Sequence, residues 1–383
     1  MKHLLQLALC FLLFSCNQAR QHQEHLILNI NTDKISEGSP GDPFKIKEII
    51  VLDTVKAALL KSGKAGNVMF IQDKILISDF SPVIKIFDRE SGKLYKAIDK
   101  SGRGPQEYSS RQRFFLQEGD LFIARGDDKS LMYYDTDGNF IKKKTLPDKV
   151  SAIAEVLNLP SGELLVYSGL IAGLRQRDKN KPCYGMTLFS AGGDTVQQML
   201  EIPETFPKVP VISSVPAFRM NKDEILFMPL TDHVIYKYHP REHLFTPLYT
   251  LNYDNINFRQ VMEGSGAASG NEQLNFINKL FMGFMYYCSD RYILLGASCA
   301  SKEKSIYVLI DRETGEYRIY DNEKDEVLPG LLVPNSEGLL IQYLSYSDLT
   351  DKEGNPKETP LVKEIGKHMT IDENTNGVLL IYE

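Results

Sequence analysis

The sequence predicts an all-β fold, a six-bladed β-propeller of four-stranded antiparallel blades. Three observations predict it. Short apolar or alternating runs rich in Ile, Val, Leu, Phe and Tyr, each closed by a Gly, Asn or Asp turn, fill the chain. One hairpin phrase then recurs along its length. The spacing between copies is close to that of one four-stranded blade plus its connection.

The first blade is the most legible. Val68-Met69-Phe70-Ile71 leads through Gln72-Asp73-Lys74 to Ile75-Leu76-Ile77-Ser78-Asp79; Val83 to Asp88 then turns through Arg89-Glu90-Ser91-Gly92 into Lys93 to Ile98. Four strands joined by tight turns within so few residues make an antiparallel meander. Its last hairpin, KIFDRESGKLYKAI, returns as MYYDTDGNFIKKKT at Met132, TLFSAGGDTVQQML at Thr187, IYKYHPREHLFTPLYTL at Ile235 and VLIDRETGEYRIY at Val308. Aligned on the residue before each turn (Phe87, Tyr134, Phe189, Tyr238 and Ile310), the steps are 47, 55, 49 and 72 residues.

The longest step carries an insertion, the flexible Gly264–Gly270 loop followed by apolar positions three and four apart from Asn271, which predict a short helix near 271–285. The sixth unit lies after Tyr320. Leu339–Leu344 and Gly377–Tyr382 read as its strands, with a second helix near 359–369 between them. An isolated sheet exposes both faces, whereas radial packing buries them against neighbouring blades. Ile46–Leu52 precedes the first complete blade and is expected to fasten the ring beside the C-terminal strands.

Before the ring, Lys2 and His3 are followed by an apolar run from Leu4 to Phe14, too short to span a bilayer and shaped like a signal-peptide core. It ends in Leu13-Phe14-Ser15-Cys16, which resembles the bacterial lipoprotein signal, with leucine at −3, a small residue at −1 and a lipid-accepting cysteine. That resemblance divides the chain into a signal peptide (1–15), a lipidated tether and N-terminal segment (16–44) and one propeller domain (45–383), with lipid attachment at Cys16. Acyl chains contribute roughly 0.8 kcal/mol per buried methylene, so several would hold the protein on the membrane without a spanning helix. The tether lacks an acidic cluster, which favours an outer-membrane anchor facing the periplasm over surface display.

The 383 residues carry a formal net charge of −6, so nothing electrostatic points to nucleic acid as a partner. Beyond Cys16 the mature chain has Cys183, Cys288 and Cys299, with no Cys-x-x-Cys pair, and these read as small apolar fillers. The absence of Trp counts against a dedicated glycan platform, although 19 Tyr could substitute.

With the leader, the repeat and Gly102-Arg103-Gly104-Pro105-Gln106-Glu107-Tyr108 in view, the chain resembles the six-bladed β-propeller lipoproteins of the Bacteroidota. These are relatives in fold of the NHL-type and TolB-type propellers. That family shows a Gly-Arg-Gly-Pro-Gly-Glu-Tyr-like signature after its first full blade. Here Gln106 replaces the fifth glycine, and Asn376-Gly377 stands where an Asn-Pro is common. The resemblance covers nearly the whole mature chain. It implies a propeller in the cell envelope and carries no agreed chemistry.

Candidate binding residues follow from position. Arg103 and Glu107, held by glycines at the channel mouth, could contact a ligand; equally, Gly102 and Gly104 could permit the crossing between blades while Pro105 stiffens it. Arg111, Arg113 and Arg125 enter or follow the second blade and could form an anion site. His239 and His243 are four apart, but a metal pair at that spacing needs a helix, and Pro240 argues against one. Asp53, Asp79, Asp88, Asp135 and Asp311 recur with the repeats; three sit at turns where Asp caps its own backbone, and Asp79 is the better candidate for a channel cation. No nucleophile elbow or phosphate-binding loop is present. No catalytic residue, metal ligand or cofactor is assigned. The expected function is a non-enzymatic module binding an envelope protein or small molecule. The alternative is a metal-dependent propeller hydrolase or lyase of the lactonase or amidating-lyase type.

Overall fold

A computed structural model describes residues 25–60, 65–79, 81–108, 116–118, 120–125, 130–147, 153–168, 182–202, 217–229, 232–257, 261, 278–321, 331–333 and 339–383. Two strands precede the first blade, β1 (Leu26–Ile30) and β2 (Ile46–Val51). Blade one comprises β3 (Asn67–Ile71), β4 (Lys74–Ser78), β5 (Ile84–Asp88) and β6 (Leu94–Ile98). Blade two follows with β7 (Leu116–Glu118), β8 (Leu121–Arg125), β9 (Ser130–Tyr134) and β10 (Phe140–Thr145). Blade three is β11 (Glu155–Asn158), β12 (Leu164–Tyr167), β13 (Cys183–Phe189) and β14 (Thr195–Ile202). Blade four is β15 (Phe218–Asn221), β16 (Glu224–Phe227), β17 (Val234–His239) and β18 (Leu244–Tyr253). Blade five is β19 (Met282–Cys288), β20 (Tyr292–Cys299), β21 (Lys304–Asp311) and β22 (Tyr317–Asp321). Blade six combines β23 (Leu331–Val333), β24 (Leu340–Leu344) and β25 (Val378–Tyr382) with β2.

Each blade is an antiparallel meander running outward from the axis. In blade one, β3 is buried along its whole length, while the middle of β6 is exposed. The repeat aligns in three dimensions as it does in sequence, for Phe87, Tyr134, Phe189, Tyr238 and Ile310 are all buried. Each is followed by a turn with one residue in the left-handed region: Gly92, Gly138, Gly193, His243 and Gly315. Glycine is required at position 92, where φ is +66° and an added Cβ would meet the Val51 carbonyl oxygen at 1.9 Å. Blade four reaches the same geometry without glycine, through His243 at φ 49°.

The core lies between blades. Leu76 and Ile86 pack on Phe122 and Tyr134, joining blades one and two. Comparable clusters join two to three, three to four, four to five and five to six. A further cluster joins Ile341 and Leu379 of blade six to Val68 and Phe87 of blade one, so the described blades form a closed ring. The expected fastening is observed: β2 pairs antiparallel with β25, Ile50 opposite Leu379.

β1 is an addition that the hairpin repeat does not foretell. It lies parallel to β18 as a fifth strand on blade four. The chain then passes blade five, where Ser36 N donates to Ile319 O at 2.6 Å, before entering blade six as β2. The second expected helix is present as α2 (Pro360–Ile365), preceded by α1 (Tyr346–Leu349); Thr359 caps α2 by accepting from Val362 N. The first needs correction. Residues 271–277 lie outside the described part, but from Met282 the chain is the strand β19, because its apolar residues pair with β20.

This topology sorts the connections. Turns between first and second and between third and fourth strands fall on one end of the ring and are short. Links between second and third strands, and from blade to blade, fall on the other end, which carries the signature turn and both helices.

Candidate functional site at the blade junctions

The signature turn leaves β6 and crosses to blade two on the long-connection end. Tyr108 is fully buried, and its hydroxyl shares its proton between Pro82 O (2.8 Å) and Ile98 O (3.0 Å) while accepting from Lys100 N. Tyr108 N donates to Lys100 O and Gly102 N to Tyr108 O, both at 2.9 Å. Glu107 Oε2 accepts from Gly104 N at 2.7 Å, and a Cβ on Gly102 would fall 1.9 Å from that oxygen. The glycines therefore leave room for a carboxylate to fold back on its own turn. Tyr134 reaches across from blade two and donates to Gln106 O at 2.9 Å. Gln106 itself keeps a negative φ, so losing the family's glycine there causes no strain.

Arg103 and Glu107 thus share one exposed turn, with Glu107 bound to it. Arg111, Arg113, Cys16 and the side chain of Arg125 lie outside the described residues.

The carboxylates of the repeats are internally engaged. Asp79, the candidate for a channel cation, is buried with its Oδ2 2.8 Å from Lys85 Nζ, and its Oδ1 accepts from Ser81 N. An internal ammonium occupies the position in which a metal was considered. Asp88, Asp135 and Asp311 cap their turns, accepting from Ser91 N, Asn139 N and Glu313 N respectively. Asp53 accepts from Leu94 N and Val55 N. His239 Nε2 lies 2.8 Å from Thr246 Oγ1, while His243 Nδ1 lies 3.4 Å from Tyr238 Oη, so the two rings serve different neighbours. Among the described residues no three His, Cys, Asp or Glu side chains converge as a metal site would require. The three cysteines are free thiols; Cys288 and Cys299 are buried, and burial pushes the Cys288 thiol up to about 12.

Two polar constellations had no motif to announce them. The first laces the inner strands of blades three to five. Glu155, opening β11, accepts from Ala217 N (2.6 Å) and Phe218 N (3.4 Å) at the start of β15. Arg219 of β15 is buried and donates from Nε to Tyr286 O of β19 at 3.0 Å. Burial pushes the Glu155 carboxyl up to about 7, against the opposing pull of Arg219 and the two amides. The only signal in sequence was a charged residue inside an otherwise apolar inner-strand run.

The second is a pocket between blades four and five on the long-connection end, lined by His233, Tyr253, Asp254, Lys279, Phe281 and Lys302 among others. The Tyr253 and Phe281 rings stack at 5.4 Å and 26°, with His233 edge-on to Tyr253 at 5.4 Å and 85°. His233 Nε2 accepts from Gly283 N at 3.3 Å, and burial pushes the imidazole down to about 3, leaving it neutral. Asp254 accepts from Thr32 N (2.8 Å), Thr32 Oγ1 (2.9 Å) and Lys302 Nζ (2.7 Å). Burial opposes ionisation of Asp254, but Lys302 and Thr32 outweigh it and hold the carboxyl below its usual range. Lys302 Nζ also lies 5.4 Å from the Phe281 ring centre.

Comparison with known proteins agrees with this architecture. A crystal structure of a protein from Bacteroides fragilis, described as exported, superposes with a TM-score of 0.72 at 16% identity, covering 93% of this chain and 99% of that one. The β-propeller domain of Cps50 (Swd1) from Myceliophteria thermophila gives 0.42 at 10% identity over 89% of this chain and 99% of its own, too remote to bear on it further. No curated protein matches the sequence. Residues 42–383, from just before β2 to the C-terminus of the last blade, match the family model described as Domain of unknown function (DUF4934), and the chain belongs to that family.

Proposed function

We propose that this chain is a non-enzymatic binding module of the cell envelope, held to the membrane by a lipid on Cys16 and presenting the long-connection end of its propeller to a partner or small ligand. One observation carries the reading. On that end the groups suited to chemistry are turned inward on each other, as in Asp79–Lys85. The groups left facing a pocket are two lysines and aromatic rings, which bind rather than react. Leu13–Cys16 supports the lipid anchor, and the absence of an acidic stretch after it supports an outer-membrane position facing the periplasm. The description of the Bacteroides fragilis protein as exported is consistent with this placement. Kinship with NHL-type and TolB-type propellers, which the signature turn suggests, would fit a binding role as well.

Crosslinking and pull-down from intact envelopes, with Cys16→Ala as control, tests the reading. Wild-type chain should partition with membranes and retain a specific partner or ligand, and the variant should move to the soluble fraction. Recovery of no partner, together with tight binding of a divalent metal by the purified chain, would favour the hydrolase or lyase alternative instead.

A further inference from the structure

We propose that the pocket between blades four and five binds the carboxylate end of a small organic acid, its charge between Lys279 and Lys302 and its apolar part against Phe281 and Tyr253. The proposal deepens the binding-module reading and rests on it. Charge selects the sign of the ligand. His233 is neutral, Asp254 carries one negative charge, and Lys279 and Lys302 carry two positive ones, so the pocket is cationic overall. Asp254 offers little to a bound cation because both its oxygens are already occupied, by Thr32 and by Lys302. Its role is to hold the Lys302 ammonium at the pocket rim. Lys279 is exposed beside it, at the end of the connection into β19.

Size and surface select the class. The free space is about 20 Å³, room for roughly one water-sized group. A planar carboxylate can insert a single oxygen into such a space, whereas a tetrahedral oxyanion presents a bulkier end. The stacked Tyr253 and Phe281 rings supply an apolar wall that an inorganic ion cannot use but an organic flank can. Such a site needs no motif, since the ring brings together a lysine from the β20–β21 turn and another from the connection into β19.

Benzoate, acetate and sulfate at matched ionic strength are the probes, titrated into the purified full chain by calorimetry and thermal shift. Benzoate should bind and raise the melting temperature, acetate should bind more weakly for want of an apolar flank, and sulfate should do neither. Removing one charge-assisted contact should weaken benzoate binding at least about tenfold in Lys279→Gln and in Lys302→Gln. Lys279→Gln is decisive because its exposed side chain has no part in holding the ring. Unchanged benzoate affinity in Lys279→Gln, an equal response to sulfate, or no benzoate response in the wild type would each overturn the proposal. If benzoate fails while envelope crosslinking still captures a partner, the pocket assignment falls and the binding-module reading stands. If Lys279-dependent benzoate binding appears in a chain that captures no envelope protein, the pocket stands and the ligand is a small molecule.

Discussion

At the junction of blades one and two, the connecting chain drops Tyr108 into the interior and satisfies its hydroxyl on two carbonyls and an amide. At the junction of blades four and five, Tyr253 is buried nearly as deeply, yet its hydroxyl has no hydrogen-bond partner among the described residues, and a pocket remains beside its ring. The loops joining second and third strands differ in the same sense. In blade one the ion pair Asp79–Lys85 is sealed, with side-chain exposures of 0% and 8%; in the Asp254–Lys302 pair they are 23% and 46%. A motif dense in glycine and proline marks the junction that its own chain has filled. The junction with space to offer carries no motif.

The largest effect should come from breaking the two ion pairs in parallel. Lys85→Met leaves the Asp79 carboxylate buried without its ammonium and should cost about 3–5 kcal/mol. Lys302→Met removes a half-exposed partner from an Asp254 still held by Thr32, and should cost within about 1 kcal/mol. Urea denaturation midpoints decide between them. Equal losses would mean that the two junctions are equally closed.

The tyrosines give a second, smaller contrast. Tyr108→Phe strands the Pro82 and Ile98 carbonyls and should cost about 1–3 kcal/mol. Tyr253→Phe removes a buried hydroxyl that bonds to nothing described, so it should be neutral or slightly stabilising, because the desolvation cost of that group disappears. A destabilised Tyr253→Phe would show that its hydroxyl serves the pocket structurally, and the contrast would narrow.

Much of the fold was legible because each blade must solve the same local problem in the same way. Every outer hairpin needs a large buried residue before its turn and a left-handed residue within it, and Phe87 with Gly92 or Tyr134 with Gly138 spell this out. The closing strand β2 was legible because an apolar run with no hairpin partner of its own had to find one. β1 was not, since parallel pairing with β18 uses no turn and leaves Ile27 exposed. Met282–Cys288 was misread because apolar spacing in a short run does not separate a helix from a buried strand. The pocket was invisible for a different reason. Tyr253, Lys279 and Lys302 share no spacing rule and meet only because two blades stack. Glycine-rich sequence reports where backbone is constrained, and constraint is not vacancy.

The smallest effect concerns His233, and it tests the pocket side of the comparison through pH. Its ordinary value of 6.5 falls to about 3 on burial, so the folded chain keeps it neutral while the unfolded chain takes up a proton below 6.5. Stability from this group is therefore fully present above pH 6.5 and is lost progressively as pH falls towards 3. At one unit below 6.5 the loss should be about 1.4 kcal/mol. Glu155 works in the opposite direction, because its raised value favours the folded state as pH falls from about 7. Only the difference between wild type and His233→Gln isolates the histidine: glutamine can still accept from Gly283 N but cannot titrate. The melting temperature of the wild type should drop more steeply than that of the variant between pH 6.5 and 5. Parallel curves would mean that the imidazole is hydrated and able to protonate in place, which would make the pocket more open than its buried aromatic floor implies.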